Sequence, residues 1–292
     1  MPATLESLTD TFEELVRRAA RSITPDVREA LERAVATEPD ETAKGVLQTL
    51  LAKAAKAKRA GHALASDTGI VTFFVRVGCH FRALEELESS LREAVVRATK
   101  HEPLSEFVVD LKTGAPKKGN VGIGVPVVHT EIVAGSAECE VLVLLKGAGS
   151  EQLTTLWDLP ASTTPQDVGQ RLHDLILEAG GKPCPPLIVG VGMGGTPEQA
   201  LMLSRIALSR KVGAVNTDPT VAEWEKTWRT HINGSGIGPM GLGGETTVLS
   251  VHAEVADRHR AFCPVGVSVA CWSDRHASVR IDADGVAHPG WK

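Results

Sequence analysis

The sequence predicts an α+β protein in which an N-terminal helical region precedes mixed helices and small, mostly antiparallel sheets. Apolar residues recur at helical spacing through the first 60 residues, whereas segments typical of strands cluster later in the chain. A regular series of βαβ units would indicate a parallel α/β sheet, and the order of the segments does not follow that series.

The helical region ends at Gly61, after a stretch rich in alanine and lysine. Two runs of apolar residues within it have helical spacing, namely Leu5, Leu8, Phe12, Leu15 and Val16, and Val27, Ala30, Leu31, Ala34 and Val35. Each run would form the buried stripe of an amphipathic helix.

Strands and further helices are predicted along the rest of the chain. The strand segments are GIVTFFVRV at 69–77, SEFVVDL at 105–111, ECEVLVLL at 138–145, PLIVGVG at 186–192, and three more at 246–255, 264–272 and 277–285. Helices are predicted at 83–100, at 167–181 and around Trp224 and Trp228. Thr196 and Pro197 suit the N-cap and the first position of another helix.

Composition and charge exclude several classes of protein. The 292 residues carry a formal net charge of −5, which argues against a nucleic-acid-binding protein with a basic face. The sequence has no apolar run of the roughly 18 residues that a membrane helix needs, and its N-terminal segment lacks the pattern of a signal peptide. We therefore expect a cytoplasmic protein. The five cysteines, an odd number, favour buried thiols or metal ligands over a disulfide framework.

Residues 190–195 match the G-x-G-x-x-G pattern of dinucleotide-binding proteins, and Asp218 follows at about the expected distance. The motif lies two-thirds of the way along the chain, and residues 236–241 match the same pattern. A nicotinamide- or flavin-binding enzyme is therefore the weaker interpretation. Two others stay open, namely an anion bound by backbone N–H groups at a helix N-terminus, or a tight turn without a ligand.

Several segments occur together in one order. They are Asp67-Thr68-Gly69, residues 146–151, residues 180–186 around Cys184, the glycine segment at 190–196, residues 236–244, and Cys263-Pro-Val-Gly followed by Cys271-Trp. In this order they resemble the iron–sulfur hydro-lyases of the class I fumarase and L-tartrate dehydratase type, over residues 60–280. The resemblance implies one alpha-type domain over residues 1–292, with a helical region at 1–60, a catalytic region at 61–292 and the fold of the class I fumarase N-terminal domain.

The resemblance also implies an activity and partners. The implied reaction is the addition or loss of water on a small hydroxy- or unsaturated carboxylic acid. In the family, a [4Fe–4S] cluster held by three cysteines acts as the Lewis acid that helps hydroxide to leave. A separate beta-type subunit, whose swivelling domain this sequence does not include, completes the active site. Pairing of alpha chains, with active sites drawn from more than one chain, is implied as well.

Two cysteines match cluster ligands of the family, and the third position differs. Cys184 and Cys271 match the second and third ligands, whereas Ala65 stands where the first cysteine is expected. Alanine cannot ligate iron, and two thiolates fall short of the ligation of a cubane cluster.

Four explanations of Ala65 stay open. In the first, another residue replaces the ligand, and the candidates are Cys79, His62, His80 and Ser66. In the second, a mononuclear iron or zinc is held by the two thiolates and a histidine. In the third, the site is free of metal and serves another lyase or isomerase reaction. In the fourth, the chain is an engineered or degenerate variant.

Asp67 and His259 match catalytic positions of the family. The Asp67 carboxylate would transfer a proton if burial raises its pKa, although Asp-Thr-Gly is also an ordinary turn. His259, twelve residues before Cys271, would donate to a substrate carboxylate or shuttle a proton, although a solvated turn would suit its surroundings equally. Asp67, His259 and the two cysteines are expected to line one pocket.

Further residues match substrate-binding positions, namely Ser66, Thr68, Lys118, Asn120, Gly147, Gly149 and Ser150. Lys118 and Asn120 keep part of a family segment that carries a carboxylate-binding arginine, and a lysine would bind a carboxylate less selectively. Residues 121–124, which follow, are more apolar than in the family. This change indicates a substrate other than fumarate, malate or tartrate.

Two hypotheses of different class follow. The first is a hydro-lyase, or a related lyase, that acts with a beta-type subunit on a small carboxylic acid. The second is a non-catalytic or repurposed subunit that has lost its cluster, which Ala65 and the altered segment at 121–124 favour. Activity that survives replacement of Asp67 or His259 would support the second hypothesis.

Overall fold

The structure, a computed structural model, describes residues 5–101 and 103–290. Within them the chain divides into two compact units. The first unit contains the described residues up to Thr24, Ala54–Gly147 and the residues from Arg275 onward, and the second contains Pro25–Lys53 and Ala148–Asp274. The predicted helical region therefore contributes to both units, and the single domain expected over residues 1–292 stays a prediction.

Helices and strands follow one another in an irregular order. The helices are α1 (Leu5–Arg21), α2 (Pro25–Thr37), α3 (Glu41–Ala60), α4 (Leu87–Lys100), α5 (Ala148–Glu151), α6 (Pro165–Ala179), α7 (Pro197–Ala207) and α8 (Pro219–Asn233). The strands are β1 (Ile70–Gly78), β2 (Val127–Val133), β3 (Cys139–Lys146), β4 (Thr155–Pro160), β5 (Leu187–Gly195), β6 (Val248–Arg258), β7 (Phe262–Ala270), β8 (His276–Ile281) and β9 (Ala287–Pro289). Short 3-10 helices occupy Lys118–Asn120 and Pro239–Gly241. No helix in the described part of the chain is long and apolar enough to cross a membrane.

The first unit is built on a sheet with the strand order β2-β1-β3-β8-β9. The β1–β2 pair is parallel, and the β1–β3, β3–β8 and β8–β9 pairs are antiparallel. Alternate residues of β1 point to one face of the sheet, where Phe73 and Val75 join the apolar cores of α1 and α4, including Phe12 and Leu91. This arrangement places the start of β1, and the turn before it, at one end of the sheet.

The second unit is built on a sheet with the order β4-β7-β5-β6, in which β5 and β6 are parallel and the β4–β7 and β5–β7 pairs are antiparallel. Val189 and Val191 of β5 share an apolar core with Leu172 of α6 and Trp228 of α8. Helix α7 packs on the opposite face of β5, against the glycines that alternate with these valines. The sheet is therefore covered by helices on both faces.

The glycine pattern at 190–195 lies within a strand. Gly190 and Gly192 belong to β5, which pairs with β6 on one side and β7 on the other. A Cβ at Gly190 would lie 2.0 Å from the Ser204 carbonyl oxygen, and a Cβ at Gly192 would lie 2.0 Å from that of Ala200. These glycines let α7 approach the sheet closely, so the segment does not form the phosphate-binding turn of a dinucleotide fingerprint. The predicted helix start is confirmed, with Thr196 at the N-cap position and Pro197 after it, but the Thr196 side chain makes no capping hydrogen bond.

The α+β class is confirmed, with a majority of antiparallel pairs in both sheets. The strand predicted at 105–111 is wrong, because this segment is a loop with an isolated bridge from Val109 to Pro116. The backbone N–H groups of Phe107 and Val108 donate to the Asn120 side chain, at 2.9 and 3.3 Å, so these groups are satisfied without a neighbouring strand. The sequence does not predict β2, β4 or the short β9. A histidine and a glutamate interrupt β2, and a proline ends both β4 and β9.

Candidate functional site

The turn before β1 carries Asp67 and closes on itself. The Asp67 Oδ1 atom accepts a hydrogen bond from the Gly69 backbone N–H at 2.9 Å, as in an Asx turn. Gly69 has φ +72°, and a Cβ at this position would lie 1.9 Å from the Lys146 carbonyl oxygen. The half-buried Asp67 carboxylate contacts Gly147, where a Cβ would lie 2.7 Å from Oδ2. The structure thus brings together Asp67 and Gly147, two of the predicted site residues.

Thr68 and Asn120 both hold the backbone of Ser105. The buried Thr68 hydroxyl accepts from the Ser105 N–H at 3.0 Å, and the Asn120 Nδ2 atom donates to the Ser105 carbonyl oxygen at 2.7 Å. Asn120 also donates to the Thr99 hydroxyl at 3.2 Å and accepts from two backbone N–H groups. Since these bonds use both donors and the acceptor of its amide, the geometry favours a structural role for Asn120. Lys118 and Ser66 are exposed.

The two predicted thiol ligands lie near each other in the second unit. The Trp272 N–H donates to the Cys184 carbonyl oxygen at 3.2 Å, which joins the two segments directly. Burial raises the pKa of the Cys184 thiol, the electrostatic interaction with Cys271 raises it further, and Lys53 opposes both effects. The Cys271 Sγ atom lies 3.1 Å from the Ser273 hydroxyl. We refer to Cys184 and Cys271 as the thiol pair.

The backbone of Cys184 adopts a conformation that is unusual for a residue with a side chain. Its φ of +59° lies in the left-handed region, which residues other than glycine rarely adopt. The turn is closed by a hydrogen bond from the Cys184 N–H to the Gly181 carbonyl oxygen at 3.0 Å. A Cβ at Gly149 would lie 3.3 Å from the Lys182 carbonyl oxygen, so Gly149, at the start of α5, lies beside this turn. Ser150 in the same short helix is buried.

A glycine-rich loop at 236–247 supports the Cys184 turn. The Met240 N–H donates to the Pro185 carbonyl oxygen at 2.8 Å. A Cβ at Gly241 would lie 2.6 Å from the Cα of Gly181, so the two backbones pack directly against each other. Met240, like Lys53 and Ser273, was not singled out from the sequence. The repeated glycines at 236–244 were the only signal that could have indicated such a close approach.

His259 lies at the other end of β7 from Cys271. It is exposed in the connection between β6 and β7, where its Nδ1 atom accepts from the Ala261 N–H at 3.2 Å. Cys271 follows the last residue of β7, a strand of nine residues. Such a strand spans about 30 Å at about 3.3 Å per residue. The second unit therefore does not bring His259 and the thiol pair together, and a shared role for them stays a prediction.

Cys79 and His80 do not qualify as replacements for the ligand missing at Ala65. Both are exposed and follow the end of β1, whereas Ala65 precedes its start. The nine residues of β1 separate the two ends by about 30 Å. His62 and Ser66 stay the remaining candidates from that part of the chain.

The thiol pair supplies fewer donors than a cubane cluster needs. Cubane clusters are held by several cysteine thiolates, and the thiol pair supplies two. In residues 5–101 and 103–290, no three His, Cys, Asp or Glu side chains are grouped closely enough to hold a metal ion. The residues present therefore do not fit a [4Fe–4S] cluster with three cysteine ligands.

Comparison with known proteins gives one consistent result. The family model described as fumarate hydratase (fumerase) matches residues 9–280. A Methanocaldococcus jannaschii protein named for the alpha subunit of L(+)-tartrate dehydratase is 38% identical over 280 residues, covering 95% of this chain and 98% of that protein. The L(+)-tartrate dehydratase subunit alpha of Escherichia coli strain UTI89 is 32% identical, covering 96% of this chain and 92% of its own length. The same subunit of strain K12 is 31% identical with the same coverage.

Proposed function

This chain belongs to the fumarate hydratase family, and from that premise we propose that it acts, with a separate beta-type subunit, on a small hydroxy- or unsaturated carboxylic acid. The chain is a hydro-lyase of the alpha-subunit type, because both the family model and the relatives match it over nearly its whole length. Fumarate, malate and tartrate are not proposed as the substrate, since residues 121–124 are more apolar than the family segment.

The observation that carries the proposed function is the Asp67 turn. Removing a proton from the carbon beside a carboxylate needs a base within hydrogen-bond reach of that carbon. Asp67 is half-buried, its Oδ1 atom is fixed by the Gly69 N–H, and its Oδ2 atom lies against Gly147. A carboxylate held in this way keeps one orientation, which suits transfer of a proton in a defined direction. We propose Asp67 as the proton-transferring group, with Gly147, Ser66 and Thr68 beside the substrate.

The proposed test of this role uses two matched variants. Asp67→Asn keeps the acceptor for the Gly69 N–H but loses the basic oxygen, so kcat should fall by about 100-fold or more with folding retained. Asp110→Asn is the control, because Asp110 also caps a turn of the first unit, accepting from the Lys112 and Thr113 N–H groups at 3.1 Å. The rate should be followed on a panel of unsaturated and hydroxylated diacids, with a beta-type subunit present. No turnover with any of them would contradict the proposal, and an unchanged rate in Asp67→Asn would favour the non-catalytic hypothesis.

The cofactor is proposed to differ from that of the family. The family is the iron–sulfur class I type, whereas this chain has Ala65 and a pair of thiols. We propose an altered site, in which the thiol pair either holds a single iron or zinc ion or holds no metal. Iron, zinc and sulfide should be quantified, with a visible spectrum, in protein purified without oxygen. The unaltered chain should contain no sulfide and at most one metal ion. A brown unaltered protein with several irons per chain would contradict the altered site.

The partners follow from the relatives and stay proposals. The curated relatives are named as alpha subunits, which supports a beta-type partner for this chain. Association of two alpha chains is proposed as well, and it would offer His259 a route to the thiol pair of a second copy. Lys118, exposed in the first unit, is proposed to bind a substrate carboxylate. The substrate-binding roles of Gly149 and Ser150 stay predictions from the sequence. A cytoplasmic location stays a prediction from the sequence.

A further inference from the structure

The sheet of the first unit ends in two strands that differ in length and composition. At one end, β9 has three residues and finishes at Pro289, which leaves little edge for another strand to pair with. At the other end, β2 has seven residues, and among the described strands it pairs only with β1. The outer side of β2 is therefore a position at which a further strand can be added to the sheet.

The C-terminal half of β2 is exposed although part of it is apolar. Thr130, Glu131 and Ile132 are all exposed, and 67% of the Ile132 surface is accessible. Ile132 lies beside the buried Val77 of β1, on the face of the sheet that packs on α1 and α4. Val128, on the same face, is partly buried against that core. A neighbouring apolar side chain that covers Ile132 would extend the core and remove apolar surface from water.

The sequence of β2 is complementary to a second copy of itself. When two copies are paired antiparallel about a two-fold axis at Thr130, all seven residues of each strand have a partner. Val128 then faces Ile132 of the second copy, and Val127 faces Val133. The axis repeats each pair, so that both exposed isoleucines are covered. Because the contact uses the same edge twice, it closes after two copies and leaves no edge for a third.

The charged face of β2 suits the same register. Arg76 of β1 donates to Glu131 at 3.1 Å and to Glu140 of β3 at 3.4 Å, so that charges alternate across three strands. His129 is stacked on the Phe74 ring, with 4.9 Å between the ring centroids. In the self-paired arrangement Glu131 faces His129 of the second copy, and the two glutamates do not face each other. The register thus avoids the like-charge pair that destabilises neighbouring strands.

We propose that the outer edge of β2 is the surface through which two copies of this chain associate. The two five-stranded sheets then form one continuous sheet of ten strands. The two-fold axis is perpendicular to the sheet, so α1 and α4 of both copies lie on the same face of it. The inference deepens the proposed association of two alpha chains by naming its surface, and it requires no substrate and no metal ion.

The first test measures the mass of the full chain in solution by sedimentation velocity over a dilution series. The unaltered chain should have about twice the 30.9 kDa of one chain. Ile132→Lys places a charge in the apolar contact and should raise the dissociation constant of the dimer by about tenfold or more. Circular dichroism should confirm that this variant, altered at an exposed position, is folded. A chain that is monomeric at every dilution would overturn the inference and the association together.

Val286→Lys is the matched control for Ile132→Lys. Val286 is also an exposed apolar residue of the first unit, at 50%, but it lies in the connection between β8 and β9 at the other end of the sheet. Its dissociation constant should stay within about twofold of that of the unaltered chain. An equal loss of affinity in both variants would show that added charge, rather than the β2 edge, weakens the dimer, and would overturn the inference.

The second test reads the register of the contact in a Cys79→Ser background, which removes the exposed native thiol. Thr130→Cys places each introduced thiol opposite its own copy, at a Cα separation of about 4.5–5.5 Å that a disulfide spans. Ile132→Cys is the control, because it is also exposed and lies on the same face, yet the proposed register puts it at least about 13 Å from its own copy. Mild oxidation with diamide should link Thr130→Cys chains into covalent dimers and leave Ile132→Cys chains unlinked.

The outcomes of cross-linking separate this surface from the association itself. Equal cross-linking of the two variants would overturn the inference, because random collisions do not depend on register. A dimeric chain whose Thr130→Cys variant stays unlinked would also overturn it, and would mean that another surface joins the two copies. Neither test uses a substrate, so the absence of turnover with any diacid would count against the proposed activity and leave this inference to the mass and the cross-links.

Discussion

The Asp67 turn and the Cys184 turn both place a reactive side chain, but they are held in different ways. Asp67 is fixed by the N–H of Gly69, two positions further along the chain. Cys184 also has a local hydrogen bond, to the Gly181 carbonyl oxygen, and is held in addition by Trp272 and, through Pro185, by Met240. A turn that is closed by its immediate neighbours can be recognised in a sequence, whereas a turn that is supported from distant segments cannot. Substitutions within either turn should disturb it, and the Cys184 turn should also be disturbed by substitutions in the remote segments that hold it.

The largest expected effect is at Gly69. Gly69→Ala places a Cβ against the Lys146 carbonyl oxygen and forces a left-handed alanine, so the free energy of unfolding should fall by about 4 kcal/mol or more. Gly114→Ala is the control, since Gly114 has φ +71° with nothing within 4 Å of the added atom, and it should cost about 1 kcal/mol. Urea denaturation measures both. Equal losses at the two glycines would mean that the close approach to Lys146 does not matter.

Asn120 gives the next largest effect. Asn120→Ala leaves the N–H groups of Phe107 and Val108 without their acceptor, so the free energy of unfolding should fall by about 3 kcal/mol. Asn120→Asp keeps an acceptor for these groups and should lose less. A rise in KM with unchanged stability would show instead that Asn120 binds the substrate, as the family resemblance implies.

Substitutions of Cys184 should change the free energy of unfolding by less, and the variant with the smaller side chain should be the more stable one. Because Cys184 has φ +59°, Cys184→Gly should be more stable than Cys184→Ala by about 1 kcal/mol, although glycine has the smaller side chain. Thermal or urea unfolding of the two variants measures the difference. An alanine variant as stable as the glycine variant would mean that the turn relaxes when the thiol is removed, and that its strain depends on the side chain.

The smallest effect is a pH dependence at Asp110, which forms another local turn. Hydrogen bonds from Lys117 and from the backbone N–H groups of Thr113 and Lys112 lower the pKa of Asp110 to about 2. The folded pKa lies below the usual value of about 4, so the carboxylate supports its loop above pH 4 and this support is lost as the pH falls towards about 2. NMR shifts of the Thr113 amide should follow this titration. The same shifts should be insensitive to pH in Asp110→Asn, and a midpoint near 4 in the unaltered chain would contradict the lowered pKa.

Most of the fold could be predicted because its signals are local. Alternating or continuous apolar runs mark β1, β3 and β5 to β8, and the N-cap at Thr196 marks the start of α7. The Asp67 turn was predicted for the same reason. The loop at 105–111 has the composition of a strand, yet Asn120 satisfies its N–H groups from a distance in sequence.

The site could be predicted only in part, because its support is long-range. The proximity of Cys184 and Cys271 was expected from the family motifs, and the contact between Trp272 and Cys184 provides it. Nothing near Glu38 in the sequence indicates that its carboxylate binds residues 245 and 246. The distance of His259 from Cys271 follows from the length of β7, which the motif spacing alone does not reveal.

The pairing of β8 with β3 has a consequence for biosynthesis. Residues 276–281 are translated long after residues 139–146, yet they form the neighbouring strand of the first sheet. At about 5–20 residues per second, the ribosome needs roughly ten seconds to add the chain between them. During that time one side of β3 exposes unpaired N–H and C=O groups and is open to pairing with strands of other chains. We therefore expect the yield of the protein in a cell to depend on protection of this edge while translation is still in progress.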